Sequence, residues 1–203
     1  LSDAEAGSEN SGCALFGSTF TDSGDRDIAA NNEQWNFACY ADSADTTVVV
    51  INGWTTSALN FIRVYTPFES SEVGTTQRHN GKWDEDAYYL ENRSASRNTV
   101  YIRIPFARID GLQIHATSDN VDDPNGIRTA PGTIPTDIRI SNTVIKATVS
   151  SQTTNSAEAI ITRSGGMHRI WNNIIYGFKN SQPGQNSVGI TASAGTNVTI
   201  FAY

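Results

Sequence analysis

Methionine occurs once, histidine three times and cysteine twice in this 203-residue chain. Two cysteines exclude a disulfide framework. Cys13 and Cys39 leave room for one bridge closing a single loop, or for two buried free thiols. No CxxC and no Cys/His cluster is present, which excludes the common structural zinc sites. Nothing approaches 18 consecutive apolar residues, so no segment reads as a membrane span. Positive charge is also scarce. Fourteen Lys and Arg against 21 Asp and Glu give a net charge of −7, with a pI near 4.8. A nucleic-acid partner needs a basic stripe, so the balance argues against one. His79, His115 and His168 join no Ser-His-Asp or HExxH pattern, and each reads as a surface or hydrogen-bonded structural residue.

The first residues, LSDAEAGSEN, are polar and show no leader sequence. Abundant Ser, Thr, Asn and Gly with little Lys suit an exported or virion-surface protein. The expected location is therefore extracellular, cell-surface or virion.

What the chain does have is a beat. RIDGLQI (108–114), RISNTVI (139–145) and RIWNNII (169–175) repeat one phrase, and TIFAY (199–203) begins it again. Anchored on Ile109, Ile140, Ile170 and Ile200, the separations are 31, 30 and 30 residues. A second apolar phrase precedes each: YIRI (101–104), GIRTA (126–130), AIIT (159–162) and VGIT (188–191). A period in this range marks a repeat architecture, and the phrases are too short and too β-branched for helices. If the chain coils so that each strand lies one rung above its predecessor, the isoleucines stack inward as an apolar ladder. Arg108, Arg139 and Arg169 then face outward, with rungs about 4.8 Å apart. Asn142, Asn172 and Gly111 fall at the turn after the strand. Asn and Gly tolerate left-handed backbone there, and stacked Asn side chains can bond one another.

Upstream, WNFACYA (35–41), TTVVVING (46–53) and FIRVYTP (61–67) fit earlier, less regular rungs. Residues 1–34, with a Ser N-cap and short helical start at SDAEA, read as an N-terminal cap over the open end of the coil. Residues 35–203 read as the coil itself. A long insertion at about 68–98 leaves it and gathers aromatic and charged residues. The last rung, reached at Tyr203, is expected to be covered by further sequence or by another protein chain, a second copy included.

These repeats resemble the right-handed parallel β-helix, the pectin-lyase-like architecture. More narrowly, CYAD, INGWTTSALNFIRVYTP and RHNGKWDEDAYYLE resemble the N-terminal part of poorly characterised β-helix-repeat proteins of bacteria, archaea and phages, over about residues 36–115. The resemblance implies an all-β solenoid with a cap and an inserted loop, and almost nothing about function.

Glycoside cleavage needs two carboxyls on one face. Asp119, Asp122 and Asp123 share one loop, and Asp84, Glu85 and Asp86 another. Neither loop has carboxylates at matching positions of the next rung, where Ser141 and Trp171 stand in place of Asp110, so no catalytic residue is assigned. DNVDDPNG (119–126) packs oxygen ligands closely enough to hold Ca²⁺ through Asp119, Asp122 and Asp123, or it is simply a turn. Calcium is the sole candidate cofactor. In the insertion, Arg78, Asn80, Trp83, Asp84 and Tyr88 combine aromatic planes with hydrogen-bonding groups, the mixture that binds sugar rings. The alternative is that these aromatics pack the insertion onto the coil. NRS (92–94) and NVT (197–199) match glycosylation sequons.

The expected function is a non-catalytic surface or assembly protein that presents loops on a rigid coil and contacts neighbouring chains. The alternatives are a polysaccharide lyase or hydrolase, and a carbohydrate-binding module.

Overall fold

The computed structural model describes residues 26–41, 43–93, 97–117, 123–132, 135–150, 156–163, 165–180, 183–193 and 198–202, with Ser193 and the last stretch as backbone alone. The first rung comprises β1 (Trp35–Ala38) and β2 (Val49–Ile51). The second holds β3 (Ile62–Tyr65), β4 (Leu90–Glu91) and β5 (Asn98–Ile102). Next come β6 (Phe106–Asp110), β7 (Gln113–Thr117) and β8 (Asn125–Thr129), then β9 (Asp137–Ser141), β10 (Val144–Thr148) and β11 (Ala157–Arg163). The fifth rung is β12 (Gly166–Trp171), β13 (Ile174–Tyr176) and β14 (Ser187–Ser193), and β15 (Val198–Ala202) opens another.

Among the described residues every pairing is parallel, and the second to fifth rungs each send one strand to each of three sheets. The first sheet runs β1-β3-β6-β9-β12-β15, the second β4-β7-β10-β13, and the third β2-β5-β8-β11-β14. The chain is an all-β solenoid. Its only helical element among the described residues is one 3₁₀ turn, Thr75–Gln77.

The alternation read from the sequence explains the first sheet. Ile109, Ile140 and Ile170 pair in register and are buried, as are Val64, Ile62 and Ile138 on the same inner face. Burying one such side chain stabilises the fold by about 1.5–3 kcal/mol, and the ladder repeats that gain at each rung. Ile200 departs from the expected ladder. Ala202 is the residue paired with Ile170, and Ile200 pairs with His168. A two-residue shift keeps every side chain on its original face, so an apolar pattern alone does not distinguish the two registers.

The second sheet begins immediately after a tight corner. Gly111, Asn142 and Asn172 all have positive φ there, at 79°, 54° and 53°. Asn172 Nδ2 donates to Asn142 Oδ1 at 2.6 Å, and Asn142 Nδ2 donates to Asp110 Oδ1 at 2.7 Å. The stacked-asparagine expectation therefore holds. Buried hydroxyls satisfy the corner carbonyls: Thr66 donates to Gly111 O at 2.7 Å and Thr143 to Ser141 O at 2.9 Å.

Of the segment expected to cap the coil, residues 26–34 are described. Asp27 bridges Thr55, fully buried Ile28 joins the core, and Asn60 Nδ2 donates to Glu33 O at 3.0 Å. SDAEA lies outside the described residues. The insertion is shorter than 68–98, because Leu90–Glu91 already pair with the second sheet and Asn98 starts β5. The arm proper is 66–89. Asn92, the acceptor of the first sequon, is buried, so that sequon is closed to a glycan in the folded chain. Asn197, of the second, lies outside the described residues.

Candidate binding face

The arm is pinned where the first and second sheets meet. Arg78 lies across Gly111 and donates to Thr66 O (2.9 Å), Asp110 O (3.3 Å) and Asp110 Oδ2 (2.9 Å). A Cβ on Gly111 would collide with the Arg78 guanidinium. This is why the unit that receives the arm carries Gly where the next two carry Asn. One residue on, His79 Nε2 donates to Asn142 O at 2.8 Å while its Nδ1 accepts from Gly81 N. Burial lowers the His79 pKa, in keeping with a neutral ring. Gln113 then fixes the next stretch, accepting from Asp84 N and donating to Asp84 O, each at 2.7 Å.

The five sugar-binding candidates do not converge. Arg78 is committed to the corner. Tyr88 is buried, its hydroxyl donating to Asp45 Oδ2 at 3.1 Å, and burial raises its pKa well above the usual tyrosine value. Asn80 and Asp84 lie on the exposed surface of the arm. Trp83 turns toward the second sheet, where its ring lies 3.6 Å from Lys146 Nζ and 5.9 Å from the His115 ring.

Beneath Trp83 runs a column of chemically capable side chains. Glu91, His115, Lys146 and Tyr176 occupy one register position on successive strands of the second sheet. His115 Nδ1 lies 3.1 Å from Glu91 Oε1, and its Nε2 lies 2.9 Å from Thr148 Oγ1. Burial lowers the Lys146 pKa, opposed by the fields of Glu85 and Glu91. The indole Nε1 of Trp83 is buried with no hydrogen-bond partner. Three members were within reach of sequence reasoning. Aligning GLQIH, TVIK and NIIY places His115, Lys146 and Tyr176 at the same step of the repeat.

The outer face of the first sheet carries a second column. Arg63, Arg108, Arg139 and Arg169 stack in register through β3, β6, β9 and β12. Asp110 Oδ2 takes Arg63 at 2.9 Å and Arg78 at 2.9 Å, while Asp137 takes Arg139 at 2.8 Å and also Arg169. Both carboxyls are partly buried. Burial alone would raise their pKa values, but Asn142, Arg63 and Arg78 at Asp110, and Arg139 and Arg169 at Asp137, hold them below the ordinary range. Arg108 instead lies over the Phe61 ring at 3.3 Å.

Of the calcium candidates, Asp119 and Asp122 lie outside the described residues. Asp123 pairs with Arg97 at 3.3 Å, and burial raises its pKa. Cys39 is buried, which pushes its thiol up to about 12. Cys13, its proposed partner, lies outside the described residues. Compared with known protein families, with curated proteins and with solved structures, the chain has no match.

Proposed function

We propose that this chain is a non-catalytic surface or assembly protein, acting outside the cell or on a virion, whose stiff solenoid contacts other macromolecules through its outer faces. Its partners in this reading are other protein chains, a second copy among them, or polysaccharide. The state of Asp110 and Asp137 carries the proposal. Glycoside cleavage needs one carboxyl kept protonated near neutral pH. Both acids on the regular face are instead held ionised by arginines and spent on ordering the surface. The pectin-lyase-like assignment belongs to the same proposal, supported by the parallel solenoid and the phrases of residues 36–115. The test is incubation with a panel of polysaccharides, followed by mass-resolved detection of new ends. None should form, and release of reducing or unsaturated ends would overturn the reading.

One observation favours a second reading, a polysaccharide lyase. Proton abstraction by an enzyme wants a base whose pKa is brought toward neutrality. Lys146 is shifted in that direction, beside His115 and under an aromatic plane suited to a sugar ring. In this reading Lys146→Met abolishes formation of unsaturated ends while leaving the fold intact.

A further inference from the structure

Three Asn-Gly pairs occur in the chain: Asn52–Gly53, Asn80–Gly81 and Asn125–Gly126. Glycine has no side chain to shield its amide nitrogen, so in such a pair that nitrogen can reach the asparagine's own side-chain carbonyl carbon. The fold treats the three differently. Asn125 is buried in β8 and donates to Asn98 Oδ1 at 3.2 Å, and Ala159 O crowds Gly126. Asn52 is exposed, and its main-chain carbonyl accepts from Arg26 Nη1 at 2.9 Å. Asn80 and Gly81 are both exposed on the arm, where a Cβ on Gly81 would meet nothing closer than Ile174 Cδ1 at 3.9 Å.

Asn80–Gly81 is the pair with a base in contact. His79 Nδ1 lies 3.1 Å from Gly81 N, and His79 Nε2 lies 2.8 Å from Asn142 O. An amide N–H only donates and a carbonyl oxygen only accepts, so the two contacts together fix the tautomer. The proton sits on Nε2, and the Nδ1 lone pair faces the Gly81 amide hydrogen. Burial favours the neutral ring and the field of Arg78 adds to it, opposed by the Asn142 carbonyl. On the facing corner, the Asp110 carboxylate bonds Asn142 Nδ2 and Arg78. An unprotonated imidazole held against an N–H is the arrangement of general-base catalysis.

We propose that Asn80–Gly81 is a self-modifying site, at which His79 takes the Gly81 amide proton and promotes loss of ammonia from Asn80. Gly81 N attacks Asn80 Cγ; the N–Cγ bond forms, and the Cγ–Nδ2 bond breaks with its electron pair. The proton held on His79 Nδ1 passes to the departing nitrogen, which leaves as ammonia. Water then opens the cyclic imide. Attack at one carbonyl gives Asp, and attack at the other gives isoaspartate, in which the main chain runs through the former side chain. Either product puts a carboxylate beside His79. The isoaspartyl form also lengthens the chain between the His79 and Trp83 contacts that pin the arm to the fourth rung.

The test is peptide mapping by mass spectrometry of the 203-residue chain, incubated folded and in urea, with all three pairs read in one digest. Labelling by an isoaspartyl methyltransferase measures the isoaspartyl product. The folded chain should convert Asn80 about tenfold faster than the unfolded chain does, with Asn52 slower and Asn125 unchanged. Attack assisted by the imidazole levels off once the ring is neutral, whereas attack driven by hydroxide rises about tenfold per pH unit. The Asn80 rate should therefore be nearly flat through neutral pH. His79→Gln should lower that rate and bring back the steep rise, leaving Asn52 unaffected. Circular dichroism melting checks the fold of the variant. Should it fail to fold, the parent's folded-to-unfolded ratio and pH slope decide alone. An Asn80 rate no higher in the folded chain than in urea would overturn the proposal, as would one rate and one slope shared by parent and His79→Gln.

Discussion

Arg78 fills the space above Gly111 that a side chain would need, so the arm and the coil are fitted to each other at one residue. Gly111→Asn is the revealing substitution, because Asn at the equivalent corners of the next two rungs tolerates the same positive φ. Backbone strain is therefore minor, and the cost is expulsion of Arg78 from a largely buried ion pair. The expected loss is about 2–3 kcal/mol, measured by urea denaturation. A variant as stable as the parent would mean that the arm is not anchored there.

The apolar ladder makes a second prediction. Ile140 is fully buried between Ile109 and Ile170. Ile140→Ala should cost about 2–5 kcal/mol. Ile140→Asp should prevent soluble folding, since an unpaired charge would enter the stack. Parental thermal stability in the Asp variant would be incompatible with stacked rungs.

Acid should unfold the protein in two stages. His168 is buried beneath Thr129, whose hydroxyl lies 2.9 Å from Nε2, and burial lowers its pKa from the ordinary 6.5. The unfolded chain protonates this ring first, so the stability present above pH 6.5 declines as pH falls below it. Asp110 and Asp137 are depressed carboxyls, and their contribution is lost only as pH falls below the ordinary 3.8. His79 is lowered by burial in the same window, so His168→Gln should reduce the slope of the upper limb of a stability–pH curve without abolishing it, and leave the lower limb in place. Parallel curves for parent and variant would remove His168 from this account.

Cys39 should be chemically silent in the native state. With its thiol pushed up to about 12 by burial, almost no thiolate exists near neutral pH. In a Cys13→Ser background, a thiol reagent should label Cys39 only after denaturant is added. Rapid native labelling would contradict its burial.

The repeating part of the fold was largely legible in the sequence because its physics is local. Ile109, Ile140 and Ile170 mark inward positions, and Asn142 and Asn172 mark left-handed corners, each through its own side-chain chemistry. Ile200 misled because backbone hydrogen bonds rather than equal spacing set the register. The site was less legible. Arg78 and Tyr88 have the composition of a sugar-binding surface, yet the arm folds back and spends both on the coil. Conversely, Glu91 lies in β4, where the long arm interrupts the count, so its alignment with His115 emerges only from strand pairing.

The path of the arm changes how the molecule should come apart. In a plain solenoid each rung touches only its neighbours, and opening can begin anywhere and spread one step at a time. Here the arm leaves after β3, grips Asp110 in the third rung through Arg78, and reaches Asn142 and Lys146 in the fourth through His79 and Trp83. Three rungs are thus clasped into one cooperative block, whereas β12 of the fifth is held by its parallel pairing with β9 and β15. Amide exchange should report this as a single slow class across β3, β6 and β9, with β12 opening earlier. Deleting the arm would dissolve the block into independent steps and turn one unfolding transition into a gradual unzipping.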